Sequence, residues 1–212
     1  MTAEPAAGVR RGRPKVSSDE QQAAAVVAEA RRIFIEQGYE RMTMDGIAAR
    51  CRMSKRTIYQ LFASKQAVMK AVIEDHRAQI FGLPGDYDGL PLEEALSQIF
   101  RINVDGDDDL QRWAVLRAIK AEAAKSEELL AIIRANTADL IPAMLADWIA
   151  EQAGRGRIVV PDPARAAKIL LDMVFGCVFD KNGRLCEWPD AEDRRVYMRD
   201  CISIFVNGCR SR

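Results

Sequence analysis

Residues 43–68 read TMDGIAARCRMSKRTIYQLFASKQAV. Two short apolar patterns at helical spacing lie in this stretch, each behind a hydroxyl residue: Thr43 before Met44, Ile47 and Ala48, and Ser54 before Ile58, Leu61 and Phe62. A hydroxyl oxygen accepts one of the orphan N–H groups of a first helical turn, so both residues mark helix starts. The pattern predicts helices over 44–50 and 54–62, separated by the tight break Cys51-Arg52-Met53. That is a helix-turn-helix, which presents one short helix to a groove roughly 12 Å wide while the other braces it. With Ile58, Leu61 and Phe62 turned to a core, Lys55, Arg56, Thr57, Tyr59 and Gln60 fall mostly on the other side. Arg donates twice to guanine, Gln pairs with adenine, Thr meets a thymine methyl, and a Tyr hydroxyl or Lys grips phosphate.

The flanks extend the pattern. Upstream, Ser17 and Ser18 stand three residues before Glu20 and Gln21, as a reciprocal cap requires, and Val26, Ala30, Ile33 and Phe34 form a stripe that ends at Gly38. Downstream, Ser64 caps a longer helix carrying Val68, Met69, Val72 and Ile73 inward. Lys65 sits in that helix's first turn, where its charge opposes the helix dipole; a phosphate bound beside the free backbone N–H groups would account for it. Residues 1–16, MTAEPAAGVRRGRPKV, have no apolar period and read as a flexible basic arm.

The whole chain has 31 Lys+Arg and 31 Asp+Glu, but residues 1–70 hold 13 basic and only 7 acidic side chains. The basic third suits phosphates and the acidic remainder stays off them, although chance clustering on solvated faces gives the same count. An apolar share of 49% excludes wholesale disorder. No stretch is read as approaching the ~18–20 uncharged apolar residues of a spanning helix, and no apolar signal core opens the chain, so the expectation is a cytoplasmic protein without a membrane partner. Five scattered Cys and the single His76 make neither a disulfide framework nor a zinc set, and no cofactor loop or nucleophile–base pair marks an enzyme.

The first 80 residues resemble the N-terminal domain of the TetR family of bacterial transcriptional regulators. The resemblance runs through Ala30, Phe34, Gly38 and Tyr39, then Thr43 to Ala48, Ser54 to Phe62, and Ala63 to Val68. It implies a DNA-binding domain over 17–80 in which Thr57, Tyr59 and Lys65 stand at typical DNA-contact positions, with Thr43 and Gln60 as further DNA-binding candidates. Lys55 and Arg56 lie where base readout varies between members; the residue before Thr57, often Gly in the family, is Arg56 here. The arm looks like the arginine-rich extension some members carry, with Arg13 entering a minor groove; a solvated tail is the alternative.

Beyond the Gly/Pro/Asp loop 82–91, helical patterns run over about 91–104, 108–124, 126–153, 162–180 and 190–208, with a kink expected at Pro142. Ile158-Val159-Val160 is too brief and isolated to found a sheet. The fold therefore reads as all-α, with a helical domain over 81–212. The helix around 166–179 is apolar nearly all round, and the last helix supplies Val196, Met198, Cys201, Ile202, Ile204, Phe205 and Val206. Pairing both with a second copy would bury them in a four-helix interface, as the family typically does; coring a monomer is the alternative. A homodimer would match a palindromic, double-stranded DNA operator.

The resemblance also implies a pocket for a small-molecule effector, with Phe100, Trp113, Arg117, Met144, Trp148 and Met173 as candidate lining. The same residues suit plain core, and Arg117 suits an ion pair with Glu122. Asp105 to Asp109 lack the calcium-loop offsets and read as a solvated loop of capping acids. The implied protein is a ligand-responsive repressor, not an enzyme, with neither metal nor cofactor.

Overall fold

The caps predicted from hydroxyl residues organise the first half of the chain. The structure is a computed structural model that describes residues 18–104, 106–176, 186 and 190–209. Ser18 opens α1 (Asp19–Gln37): its Oγ accepts from the Gln21 N–H at 3.3 Å while its own N–H donates to Gln21 Oε1 at 3.1 Å. Thr43, Ser54 and Ser64 cap α2 (Met44–Cys51), α3 (Lys55–Leu61) and α4 (Lys65–Ile80). Gly38 ends α1 at φ 81°, and a Cβ built there would lie 2.6 Å from Glu122 Oε2. Only glycine satisfies both the backbone and the space.

Then follow α5 (Leu92–Ile99), α6 (Gly106–Ala123), α7 (Glu127–Ile133), a π turn (Arg134–Ala138), α8 (Leu140–Gly154), α9 (Pro163–Gly176) and α10 (Ala191–Gly208). No strand forms among the described residues; Val159 instead donates its N–H to the Cys209 carbonyl at 2.7 Å. The architecture is all-α.

Two helices depart clearly from their predicted bounds. The 91–104 pattern stops early, because Arg101 takes a left-handed φ of 49° and the last carbonyls close on Arg101 and Ile102. Arg52 ends α2 in the same way at φ 54°. In both places an arginine fills the position glycine usually marks; the break at Arg52 falls where the sequence places it, whereas Arg101 gives no stop signal. The 126–153 pattern breaks upstream of Pro142, where the Asp139 N–H reaches back five residues to the Arg134 carbonyl at 3.0 Å. The widened turn leaves Pro142 in the first turn of α8, where its missing N–H costs nothing. Residues 177–180, the predicted end of α9, lie outside the described residues, as do Ser17 and the arm with Arg13.

Two further readings need correction. Glu127–Gly154 is long and apolar enough to span a membrane by composition, with mean hydropathy 1.4 over its best window. Here it is two helices joined by the π turn, with Leu145, Trp148 and Ile149 buried. Asp109 does not sit in a solvated loop: it lies within α6, 1% exposed. Its Oδ1 accepts from Arg112 Nε at 2.8 Å and Trp113 Nε1 at 3.0 Å, and Arg194 of α10 pairs with Oδ2.

Two hydrophobic cores result. One joins α1 to α4 around Phe34, Ile47, Ile58, Met69 and Ile73, and it is completed by Val115 and Ile119 of α6 and Leu129 of α7. The other starts at Ile80 and Phe81 and gathers α5, α8, α9 and α10. The N-terminal helices therefore do not close their own core; α6 and α7 do it for them.

Candidate nucleic-acid interface and effector cavity

In α3 the only residue buried outright is Ile58, 0% exposed. One anchor at the middle of a seven-residue helix fixes what faces outward. Lys55, Arg56, Tyr59 and Gln60 are exposed, Tyr59 by 53%, while Thr57 is half-buried. The Ser54 hydroxyl accepts the Thr57 N–H at 3.0 Å and lies 2.8 Å from the Thr57 hydroxyl. Thr43 Oγ1 accepts the Gly46 N–H at 3.0 Å. Lys55 Nζ donates to Asp45 at 2.6 Å, which ties the first turn of α3 to that of α2. That bond holds the Lys55 ammonium above its ordinary pKa. Arg56 has no ion-pair partner among the described residues.

Lys65, in the first turn of α4, is half-buried. Its Nζ donates to the Tyr39 carbonyl at 3.1 Å and sits 4.0 Å from the centre of the Tyr39 ring. Tyr39 in turn donates its hydroxyl to Glu128 at 2.7 Å and its N–H to Glu122 at 3.0 Å. Gln66 donates to the other Glu128 oxygen at 2.7 Å. These bonds hold the Glu122 and Glu128 carboxyls below their usual range; in Glu122 the Lys125 hydrogen bond is the larger cause, and in Glu128 it is the Tyr39 hydroxyl. Tyr39 is thus a hub between the start of α4 and the α6–α7 corner. Sequence reading used Tyr39 only as a family marker, because its carboxylate partners Glu122 and Glu128 lie more than eighty residues away.

A cavity of about 340 Å³ opens between α4, α6, the π turn, α8 and α9. Ile73, His76 and Ile80 line it from α4, Leu116, Ile119 and Lys120 from α6, and Leu171, Asp172 and Phe175 from α9. None of the six residues expected as effector lining reaches it. Phe100 is core, set edge-on between Phe81 and Phe175 at 5.8 and 5.7 Å. Trp113 is committed to Asp109, and Trp148 is buried. Met144 packs against the second core beside Arg77, 3.9 Å from its guanidinium. Arg117 is exposed, and Glu122 has Lys125 and Tyr39 as partners in its place. Met173 faces a separate groove with Val159, Ile169 and Ile204.

His76 is the cavity's buried polar side chain, 1% exposed, and neither ring nitrogen has a hydrogen-bond partner among the described residues. Burial above all, then the charges of Arg31 and Arg112, push its pKa down to about 4, so the ring is neutral at pH 7. One signal in the sequence pointed there: His76 falls four residues after Val72, in step with the apolar stripe of α4. Among the described residues no three His, Cys, Asp or Glu converge as a metal set. Burial raises the thiol pKa of Cys51, Cys201 and Cys209, which quiets them as nucleophiles; Cys177 lies outside the described residues.

Residues 26–72 match the model of bacterial regulatory proteins of the tetR family, and residues 94–208 match that of the C-terminal domain of AefR-like transcriptional repressors. The second match alone takes in more than half of the chain. The chain belongs to the TetR family. It is a transcriptional regulator with a helix-turn-helix DNA-binding domain. It is 25% identical over 158 residues to the HTH-type transcriptional regulator UidR of Escherichia coli K12, covering 73% of this chain and 79% of UidR. It is 38% identical over 63 residues to the DNA-binding transcriptional repressor TetR of Mycobacteroides abscessus, covering 30% of this chain and 33% of that repressor. The fold is similar to that of Salmonella enterica GusR, with a TM-score of 0.66 at 23% identity over 91% of this chain and 97% of GusR. It is similar also to the SmeT–triclosan complex, with a TM-score of 0.61 at 16% identity over 90% of this chain and 92% of SmeT.

Proposed function

We propose that this TetR-family regulator is a cytoplasmic, homodimeric repressor that binds a palindromic operator through α3 and leaves it when a small molecule fills the cavity beside α4. The observation that carries the reading is the single buried anchor of α3. Ile58 points inward, which leaves Lys55, Arg56, Tyr59 and Gln60 outward for bases and phosphates, with Thr57 and Thr43 at the helix starts. Arg13, in the arm, adds a minor-groove contact.

Dimerisation is supported by the exposed apolar residues of α9 and α10. Ile169, Val196, Tyr197 and Ile204 are exposed, Ile204 by 65%, and Tyr197 and Ile204 lie two turns apart on one side of α10. A second copy set against this face would bury them and fix the spacing of two α3 helices. Ligand response is supported by geometry: Ile73 and His76 of α4 wall the cavity, and the start of the same helix holds Tyr39 through Lys65. A ligand that prefers one spacing of α4 and α6 lowers operator affinity by its coupling free energy, typically ~1–3 kcal/mol.

The residue roles are separable. Arg56→Ala should cost ~1–3 kcal/mol of operator affinity and relax preference at one base position per half-site. Lys65→Ala should weaken binding to all sequences and reduce the slope of log affinity against log salt by about one. Titrations of labelled operator and scrambled duplexes at several salt concentrations distinguish the two. Equal loss of sequence preference from both changes would contradict the assignment.

A further inference from the structure

The cavity wall is apolar apart from four side chains. Asp172 is paired with Lys168 at 2.8 Å, and Asp172 and Lys120, of opposite charge, are both exposed at its margin. Thr137 gives its hydroxyl to the Ile133 carbonyl at 2.6 Å. That leaves His76, on the inner wall, as a neutral imidazole with one N–H to give and one bare nitrogen to receive. A buried polar group without a partner costs stability, and no bond within the described protein offsets that cost here. Ile73, Ile80, Leu116, Ile119, Ile141, Leu171 and Phe175 surround it with hydrocarbon, in which an anion or cation would go unsolvated.

We propose that the effector of this site is a small, uncharged, largely apolar molecule bearing one hydroxyl group, which hydrogen-bonds to the imidazole of His76. The hydroxyl is the group that suits the ring whichever nitrogen carries the proton, because it both donates and accepts. The hydrocarbon body supplies affinity through burial, and the single polar contact selects among bodies of equal shape. The inference rests on the reading of this cavity as the effector site.

The test uses the full-length protein and three probes of one shape: 2-naphthol, naphthalene and 2-naphthoate, titrated calorimetrically at pH 7. The expected order is 2-naphthol tightest, with naphthalene and 2-naphthoate each at least about tenfold weaker, the effect of one buried hydrogen bond. His76→Leu should bind 2-naphthol and naphthalene alike, and His76→Gln, which keeps a donor and an acceptor, should restore the preference. Removing an unpartnered polar group leaves His76→Leu folded, and its melting curve verifies this. Leu116→Trp fills the cavity and should abolish binding of every probe. Unabated binding by Leu116→Trp would place the site elsewhere and overturn the cavity reading itself. With that variant silent, equal affinity for 2-naphthol and naphthalene in the wild type, preference for 2-naphthoate, a preference that survives His76→Leu, or no binding of 2-naphthol would overturn the hydroxyl assignment alone.

Discussion

Asp109→Ala should lower the unfolding free energy by about 3–5 kcal/mol, the loss expected when one partner of a buried ion cluster is removed. The carboxylate is 1% exposed, accepts hydrogen bonds from Arg112 and the Trp113 indole N–H, and forms an ion pair with Arg194. Both guanidinium groups also lie against the Trp113 ring, at 5.2 and 5.1 Å from its centre. Without the carboxylate, Arg112 retains the Arg101 carbonyl at 2.7 Å, but α6 and α10 lose the charge that joins them. Asp109→Asn keeps the shape and one acceptor, so its loss should be smaller while remaining above 1 kcal/mol. Urea unfolding at pH 7 measures both. A loss below about 1 kcal/mol for the alanine variant would mean that the cluster does not hold α10 to α6.

The second large effect falls on α3. Ile58→Ala should destabilise the N-terminal core by about 2–5 kcal/mol, through lost burial and the void left behind. Because no other residue of α3 is fully buried, the change should also loosen the whole helix. Operator affinity should therefore fall even though every outward side chain remains. Tyr59→Ala, at an exposed position of the same helix, should leave stability within about 0.5 kcal/mol of the parent while still weakening operator binding. Calorimetric melting paired with operator titration separates the two behaviours. An Ile58→Ala protein that melts like the parent and binds DNA undiminished would contradict the anchoring role.

The N-terminal half was legible in sequence because its signals are local. A hydroxyl cap, an apolar residue every three or four positions and Gly38 each act within one or two turns. Hence α2, α3 and their outward residues could be read directly. Where the signal was absent, the bound was lost: the 91–104 pattern ends early at Arg101, in a conformation that glycine normally announces. Pro142 announced a break that occurs upstream, because the π turn had already widened the helix before the ring arrived.

The cavity was illegible for a different reason. Trp113, Trp148 and Phe100 are the large side chains that suggest a pocket, yet they are consumed by the second core and the Asp109 cluster. The lining comes instead from isoleucines and leucines on helices distant in sequence. Tyr39 escaped in the same way, since its bonds to Glu122 and Glu128 bridge separations of 83 and 89 residues. Long-range pairing of polar groups leaves no period to read.

Selection of bound duplexes from a random DNA pool, run side by side for the parent protein and Arg56→Ala, tests the central claim most directly. The account predicts an inverted repeat with fixed half-site spacing for the parent. For the variant it predicts the same spacing with preference relaxed at one symmetric position per half-site. No enrichment from the pool, or an identical enriched motif from both proteins, would contradict it.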